Sequence, residues 1–160
     1  IPEGGVQLVS CVQRTQGLMV AKDNPLGIRG IKELVGLRYV NRQKGSGTRI
    51  LLDYLLKQAG LSGAEIRGYE REEITHTAVA AAVASGTADA GMGILAAARI
   101  YDLTFIPICE EEYDFLISEE SWNHPQFHRF MQVLKGAELA SRLEAMGGYK
   151  LDRPGETIAL

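Results

Sequence analysis

The stretch Tyr39–Gly60, YVNRQKGSGTRILLDYLLKQAG, decides the fold. Tyr39-Val40 ends an apolar run, and Gly45-Ser46-Gly47-Thr48 is a small polar loop that no packed element would choose. From Arg49 onward apolar residues recur at helical spacing, which places Ile50, Leu51, Tyr54, Leu55 and Ala59 on one predicted face and ends the helix at Gly60. Strand, glycine-bearing turn and helix start together form one of the few backbone arrangements that bind an anion without a metal.

The flanking sequence extends this unit. Downstream, EIRGYER reads as a strand, THTAVAAAVASG as an alanine-rich helix closing near Gly86, and ADAGMGI as a strand. LAAARIYD then reads as a helix and LTFIPIC as a further strand. Strand and helix thus alternate from residue 37 to about residue 109, which predicts an α/β unit with a mostly parallel sheet covered on both faces. Upstream, VQLVSCVQ and GLMVAK read as two extended segments separated by the polar RTQ, and IRGIKELVG as a short helix closed by Gly36. Beyond residue 109, YDFLIS reads as a strand, HPQFHRFMQVLKG and AELASRLEAMGG as amphipathic helices, and YKLDRPGETIAL as an irregular tail.

Composition limits the function classes. The chain has 160 residues, 46% hydrophobic and 23% charged, with a formal net charge of −3 and no polybasic block, which argues against nucleic-acid binding. No apolar run has the length of a membrane span and no leader pattern is visible, so the reading is a cytoplasmic protein with no membrane contact. Cys11 and Cys109 make neither a disulfide framework nor a metal motif and read as buried free thiols. His124 and His128 join no cysteine or carboxylate at metal-ligand spacing, and no serine sits in a G-x-S-x-G elbow. No catalytic machinery is visible, and no built-in cofactor or metal is expected.

The candidate chemistry lies in NRQKGSGTR. The first amides of the helix beginning near Thr48 have no intrahelical acceptor, and the dipole adds about half a positive charge there. Gly45 and Gly47 allow the amides to converge, Ser46 and Thr48 add hydroxyls, and Arg42, Lys44 and Arg49 add charge. Every one of these groups donates, which suits a fully deprotonated oxyanion. The alternative is an ordinary capped helix with its arginines in solvent. The Walker A spacing is absent. A second helix start, Thr75-His76-Thr77, also follows a strand, and in a parallel sheet it lies on the same edge as the first. Glu70, Glu72 and Glu73 are read as solvated or paired with Arg71, and Asp89 as structural.

NRQKGSGTRILLDYLL, GYEREEITHTAVAAAVASGTADAGMGI and LTFIPICEEEYDFLI resemble the binding-protein-like domain related to molybdate- and tungstate-binding proteins of the class II periplasmic-binding-protein fold. That domain occurs fused to molybdopterin biosynthesis enzymes (molybdotransferases) and to helix-turn-helix regulators. The resemblance implies a two-lobed fold with a ligand cleft and two crossing strands. Residues 1–19 would be linker and crossing strand, 20–108 one complete α/β lobe, and 109–160 the second crossing strand with C-terminal helices of a first lobe whose own segment would precede Ile1. A partly absent lobe exposes apolar surface, so a homo-oligomer is expected. The implied function is binding of molybdate or tungstate for sensing or delivery in molybdenum cofactor biosynthesis. The alternatives are a small-anion effector domain of a transcription regulator, or an accessory domain of a molybdotransferase that contacts the cofactor. The implied ligand-binding residues are Arg42, Gly45, Ser46, Gly47, Thr48, Arg49, Thr75, His76 and Thr77.

Overall fold

The computed structural model describes residues 5–159. The chain divides into two compact units: Thr15–Cys109 forms one, and the flanking residues, up to Arg14 and from Glu110, form the other. Both divisions fall inside strands, β1 (Val6–Val20) and the later β5 (Thr104–Ser118).

In the unit Thr15–Cys109 the elements after β1 are β2 (Tyr39–Arg42), α1 (Gly47–Gln58), β3 (Glu72–Glu73), α2 (His76–Ala84), β4 (Ala90–Ile94) and α3 (Leu95–Ile100). Strand order is β3-β2-β4-β1-β5. β2 pairs in parallel with both β3 and β4, while β1 joins β4 antiparallel with Gln16 opposite Ile94. The expected mixed α/β architecture with its parallel βαβ units is therefore present.

Side chains alternate across the strands and divide the core between two faces. Leu18, Val20, Tyr39, Ala90 and Met92 pack with Leu52 and Leu56 of α1. Met19 and Val40 face Val79, Ala80 and Val83 of α2 and Ala97 and Ala98 of α3. On this second face α2 can come close because β4 presents glycine: a Cβ on Gly91 would stand 2.3 Å from Val79 Cγ1. The alanines of α2 and the glycines of AGMGI are two halves of one close contact.

Several local expectations need correction. The polar RTQ does not break β1, which runs unbroken for 15 residues. EIRGYER, residues 65–71, is turn rather than strand, and the only strand follows it, at Glu72–Glu73. The predicted apolar face of α1 is rotated: Leu52 and Leu56 are buried together with Thr48 and Arg49, whereas Ile50 is 62% and Tyr54 55% exposed. The run ILLDYLL carries two apolar stripes, and periodicity alone chose the outer one. The short helix at IRGIKELVG is a 3₁₀ turn at Ile31–Leu34, followed by Gly36 at φ +84°.

In the other unit, the later half of β5 leads into α4 (Glu119–Trp122), α5 (Pro125–Leu134) and α6 (Ala137–Met146). The tail is not irregular throughout: β6 (Tyr149–Lys150) and β7 (Thr157–Ala159) pair antiparallel with the first half of β1. Its aromatic packing is a T-shaped Phe115–Phe130 pair at 5.1 Å and a tilted Trp122–Phe127 pair at 4.6 Å. In the run Glu110-Glu111-Glu112, Glu110 pairs with Lys150 and Glu111 with Arg14, while Glu112 accepts a hydrogen bond from the Gln13 amide. Cys11 and Cys109 are half-buried rather than buried as read; burial, then Asp114, pushes the Cys11 thiol pKa up. Among the described residues no helix is long and apolar enough to cross a membrane, and no cluster of three or more His, Cys, Asp or Glu could hold a metal ion.

Candidate functional site

β2 and β3 are parallel neighbours, with Asn41 opposite Glu72 and Arg42 opposite Glu73, and a helix follows each strand. Their carboxyl ends therefore point the same way, and the first turns of α1 and α2 lie on one edge of the sheet. Both turns are built alike. Ser46 is the N-cap of α1 and accepts the amide of Arg49 at 3.2 Å; Thr75 is the N-cap of α2 and accepts the amide of Ala78 at 3.0 Å. Each cap satisfies one of the amides that a helix leaves over. The amides of Gly47 and Thr48 in α1 and of Thr77 in α2 belong to the turn positions with no intrahelical acceptor.

The β2–α1 turn closes through Ser46 N donating to Gln43 O at 3.2 Å, and Gly45 takes φ +87°, a left-handed conformation that glycine adopts without strain. Lys44, Gly45 and Gly47 are exposed. Thr75 and Thr77 share a hydroxyl hydrogen bond at 3.1 Å, so of their two hydroxyl hydrogens one is spent between them and one is left to donate. His76 is half-buried, and its Nδ1 lies 3.4 Å from where a Cβ on Gly93 would be; the imidazole rests on the bare backbone of β4 beside Met19.

The arginines behave differently from the sequence reading. Arg49 is only 3% exposed. Its Nη1 donates to Arg42 O at 3.1 Å and to Glu72 Oε1 at 3.2 Å, its Nε lies 3.7 Å from Asp53 Oδ1, and its guanidinium stacks on Tyr69 at 4.2 Å. Burial works to lower its pKa, but Tyr69, Asp53 and Glu72 outweigh it and hold the pKa above the ordinary value. Tyr69 hydrogen-bonds Asp53, the main reason its own pKa is raised. Arg49 is therefore held largely within the protein: Nη1 serves Arg42 O and Glu72, while its buried Nε has no hydrogen-bond partner. Arg42 donates through Nη2 to Ile74 O at 2.9 Å and through Nε to Gln43 at 3.3 Å, tying the first turn to the residue before the second.

The hydroxyls also depart from a donor-only picture. Thr48 is buried and donates to Gln16 Oε1 at 3.2 Å. Gln16, on β1, is fully buried, and the sequence reading missed it because it sits in a polar triplet taken for a break between strands. The acidic run is also sorted otherwise than read: Glu72 pairs with Arg49, while Arg71 binds Thr87 O at 2.8 Å and Thr87 Oγ1 at 3.0 Å. Asp89 is structural, accepting the Arg38 amide and guanidinium, each at 2.8 Å.

Of the nine candidate residues, the edge brings together the backbone and hydroxyls of 45–48 and 75–77, braced by Arg42. It withdraws the Arg49 side chain into the protein. The arrangement offers amide and hydroxyl donors at two helix N-termini without a free guanidinium from α1.

Comparison with known proteins bears on the fold. The uncharacterized protein YvgK of Bacillus subtilis is 36% identical over 153 residues, covering 94% of this chain, which spans about half (49%) of the length of that relative. Among solved structures, the Synechocystis PCC6803 CcmR regulatory domain in complex with 2-PG superposes with a TM-score of 0.65 at 18% identity, over 84% of this chain and 67% of that one. A substrate binding domain assigned to a molybdenum ABC transporter from Clostridium difficile superposes with a TM-score of 0.63 at 17% identity, over 91% and 67%. The family model of the PBP superfamily domain matches residues 1–135, most of the chain, and the chain belongs to that superfamily.

Proposed function

We propose that this chain binds a tetrahedral oxyanion, molybdate or tungstate, as a sensing or delivery domain in molybdenum cofactor biosynthesis. The observation that carries the reading is the parallel pairing of β2 with β3, which sets two capped helix N-termini on one sheet edge. Two dipoles and several amides directed to one edge favour a dianion. Each hydrogen bond to a charged partner contributes roughly 1.5–3 kcal/mol. Four such bonds reach the ~8 kcal/mol of a micromolar site without a guanidinium in the contact set. The likeness to the transporter domain adds support.

Discrimination follows from proton content. Amide donors cannot accept the hydrogen of monohydrogen phosphate, so an anion with no proton is preferred; a buried unmet donor costs about 1–3 kcal/mol. Calorimetric titration of the protein with molybdate, tungstate, sulfate and phosphate tests the reading. Tight binding of the first two is expected, and equal or absent binding of all four refutes it.

A second reading, a regulator's effector domain for a small organic anion, is favoured by the likeness to the CcmR regulatory domain. Binding of 2-PG in the same titration, with no response to molybdate, would select it.

A further inference from the structure

We infer that His124 is a proton-sensitive cap, which holds the first turn of α5 while its imidazole is neutral and releases it on protonation. His124 is the N-cap of α5, and its Nδ1 accepts the amide of Gln126 at 3.2 Å. Pro125 follows at the start of the helix and has no N–H, so the amide of Gln126 is the first that this helix must satisfy. Ser46, Thr75 and Ser118 cap α1, α2 and α4 through hydroxyls, which do not titrate near neutral pH. The cap of α5 is an imidazole, which does.

A neutral imidazole accepts through one nitrogen and donates through the other, whereas a protonated one only donates. Acidification through the ordinary imidazole range, near pH 6.5, turns the acceptor at Nδ1 into a donor that faces the Gln126 N–H. It also sets a full positive charge at the positive end of the helix dipole. Both effects have one sign: the cap is present above that range and lost below it. His124 is exposed to solvent protons, and its charged neighbours supply no partner that would keep a protonated imidazole in the cap. His128 and Lys135 line the groove beside it, and no carboxylate is among the lining residues. Glu119 and Glu120 stand in the first turn of α4, and Glu138 of α6 pairs with Arg142 at 2.9 Å. From β5 it is an aromatic ring, Phe115, that meets α5, at Phe130. The capped turn holds an aromatic pair: Trp122 and Phe127 meet at 4.6 Å, and the Phe127 amide donates to His124 O at 2.9 Å. Trp122 is the chain's single tryptophan, so its emission reports on this turn.

Two measurements on the whole chain between about pH 8 and about pH 5 test this: Trp122 emission, and amide exchange at Gln126 by nuclear magnetic resonance, corrected for the intrinsic rate. In the wild type both are expected to change together, with one midpoint between about pH 6 and about pH 7. Protection at Gln126 should fall roughly tenfold, the weight of one cap. His124→Asn caps without titrating and should hold protection and emission level across the range. His128→Asn should leave the wild-type transition in place, which separates loss of the cap from quenching of Trp122 by the other imidazole. Gln126 protection that stays flat in the wild type overturns the inference. So does the same transition in His124→Asn, or its disappearance in His128→Asn.

Discussion

Replacing Arg49 by methionine keeps an unbranched stem in the site and removes the guanidinium, so the loss can be assembled contact by contact. The hydrogen bond to Arg42 O is part-buried, and leaving that carbonyl without its donor costs about 1–3 kcal/mol. Glu72 and Asp53 have side chains 35% and 48% exposed, so both can turn to water. Their ion pairs are then worth roughly 0.2–1 kcal/mol each, well short of the 3–5 for a fully buried pair. Stacking on Tyr69 adds about 0.5–1 kcal/mol. A total near 3 kcal/mol corresponds to a drop of roughly 6–12 °C in the melting temperature of a protein this size. Thermal unfolding followed by circular dichroism measures it. Anion affinity of the folded variant should stay within about twofold of wild type, since the missing group already serves Glu72 and Arg42 and a single hydrogen bond to the ligand would be worth far more. An unchanged melting temperature combined with a large loss of anion binding would refute the reasoning and restore Arg49 to the ligand.

Other substitutions separate backbone geometry, capping and charge. Gly68 has φ +90° and a Cβ there would stand 2.0 Å from Tyr39 O, so Gly68→Ala should destabilise by about 3 kcal/mol or more; a denaturant midpoint equal to wild type would contradict this. Ser46→Ala and Thr75→Ala each remove an N-cap and should cost about 1 kcal/mol, which a chemical melt resolves; a loss confined to one of them would show that the two turns are not equivalent. Arg38, chiefly through its side-chain hydrogen bond, holds the Asp89 carboxyl below the ordinary carboxylate range. A depressed folded-state pKa stabilises fully above the unfolded value, near pH 4, and that contribution disappears as pH falls through the folded value. The melting temperature of Asp89→Asn should therefore fall less than that of wild type between pH 6 and pH 3, and equal losses would count against the pair.

The alternation of elements between residues 37 and 109 was legible chiefly because α1 and α2 each have a start and a stop that local chemistry enforces. Ser46 and Thr75 cap, Gly60 and Gly86 sit at φ +73° and +77° just past α1 and α2, and AGMGI can only be a strand against which small residues pack. What misled the reading is equally local. Two- and three-residue strands such as Tyr149–Lys150 and Thr157–Ala159 are too short to show an alternating pattern, and their existence depends on the length of β1 beside them. Arg14 and Gln16 look like a break in β1 until their partners Glu111 and Thr48 are seen.

The site follows the same logic. Sequence lists donors; it does not show how they are spent. A turn that enters a buried helix must first satisfy its own polar groups, because an orphaned one costs as much as a ligand bond gains. Ser46, Thr48 and Thr75 make such bonds within the protein, and Arg49 does so through Nη1 while its buried Nε has no hydrogen-bond partner. The donors left over are the first amides of α1 and α2, the Ser46 hydroxyl hydrogen, which capping does not use, and one hydroxyl hydrogen of the Thr75–Thr77 pair. Such donors are neutral and fixed by the backbone, so they would be insensitive to pH across the physiological range. Under the oxyanion reading, selectivity at this edge would depend on anion geometry and proton content more than on net charge.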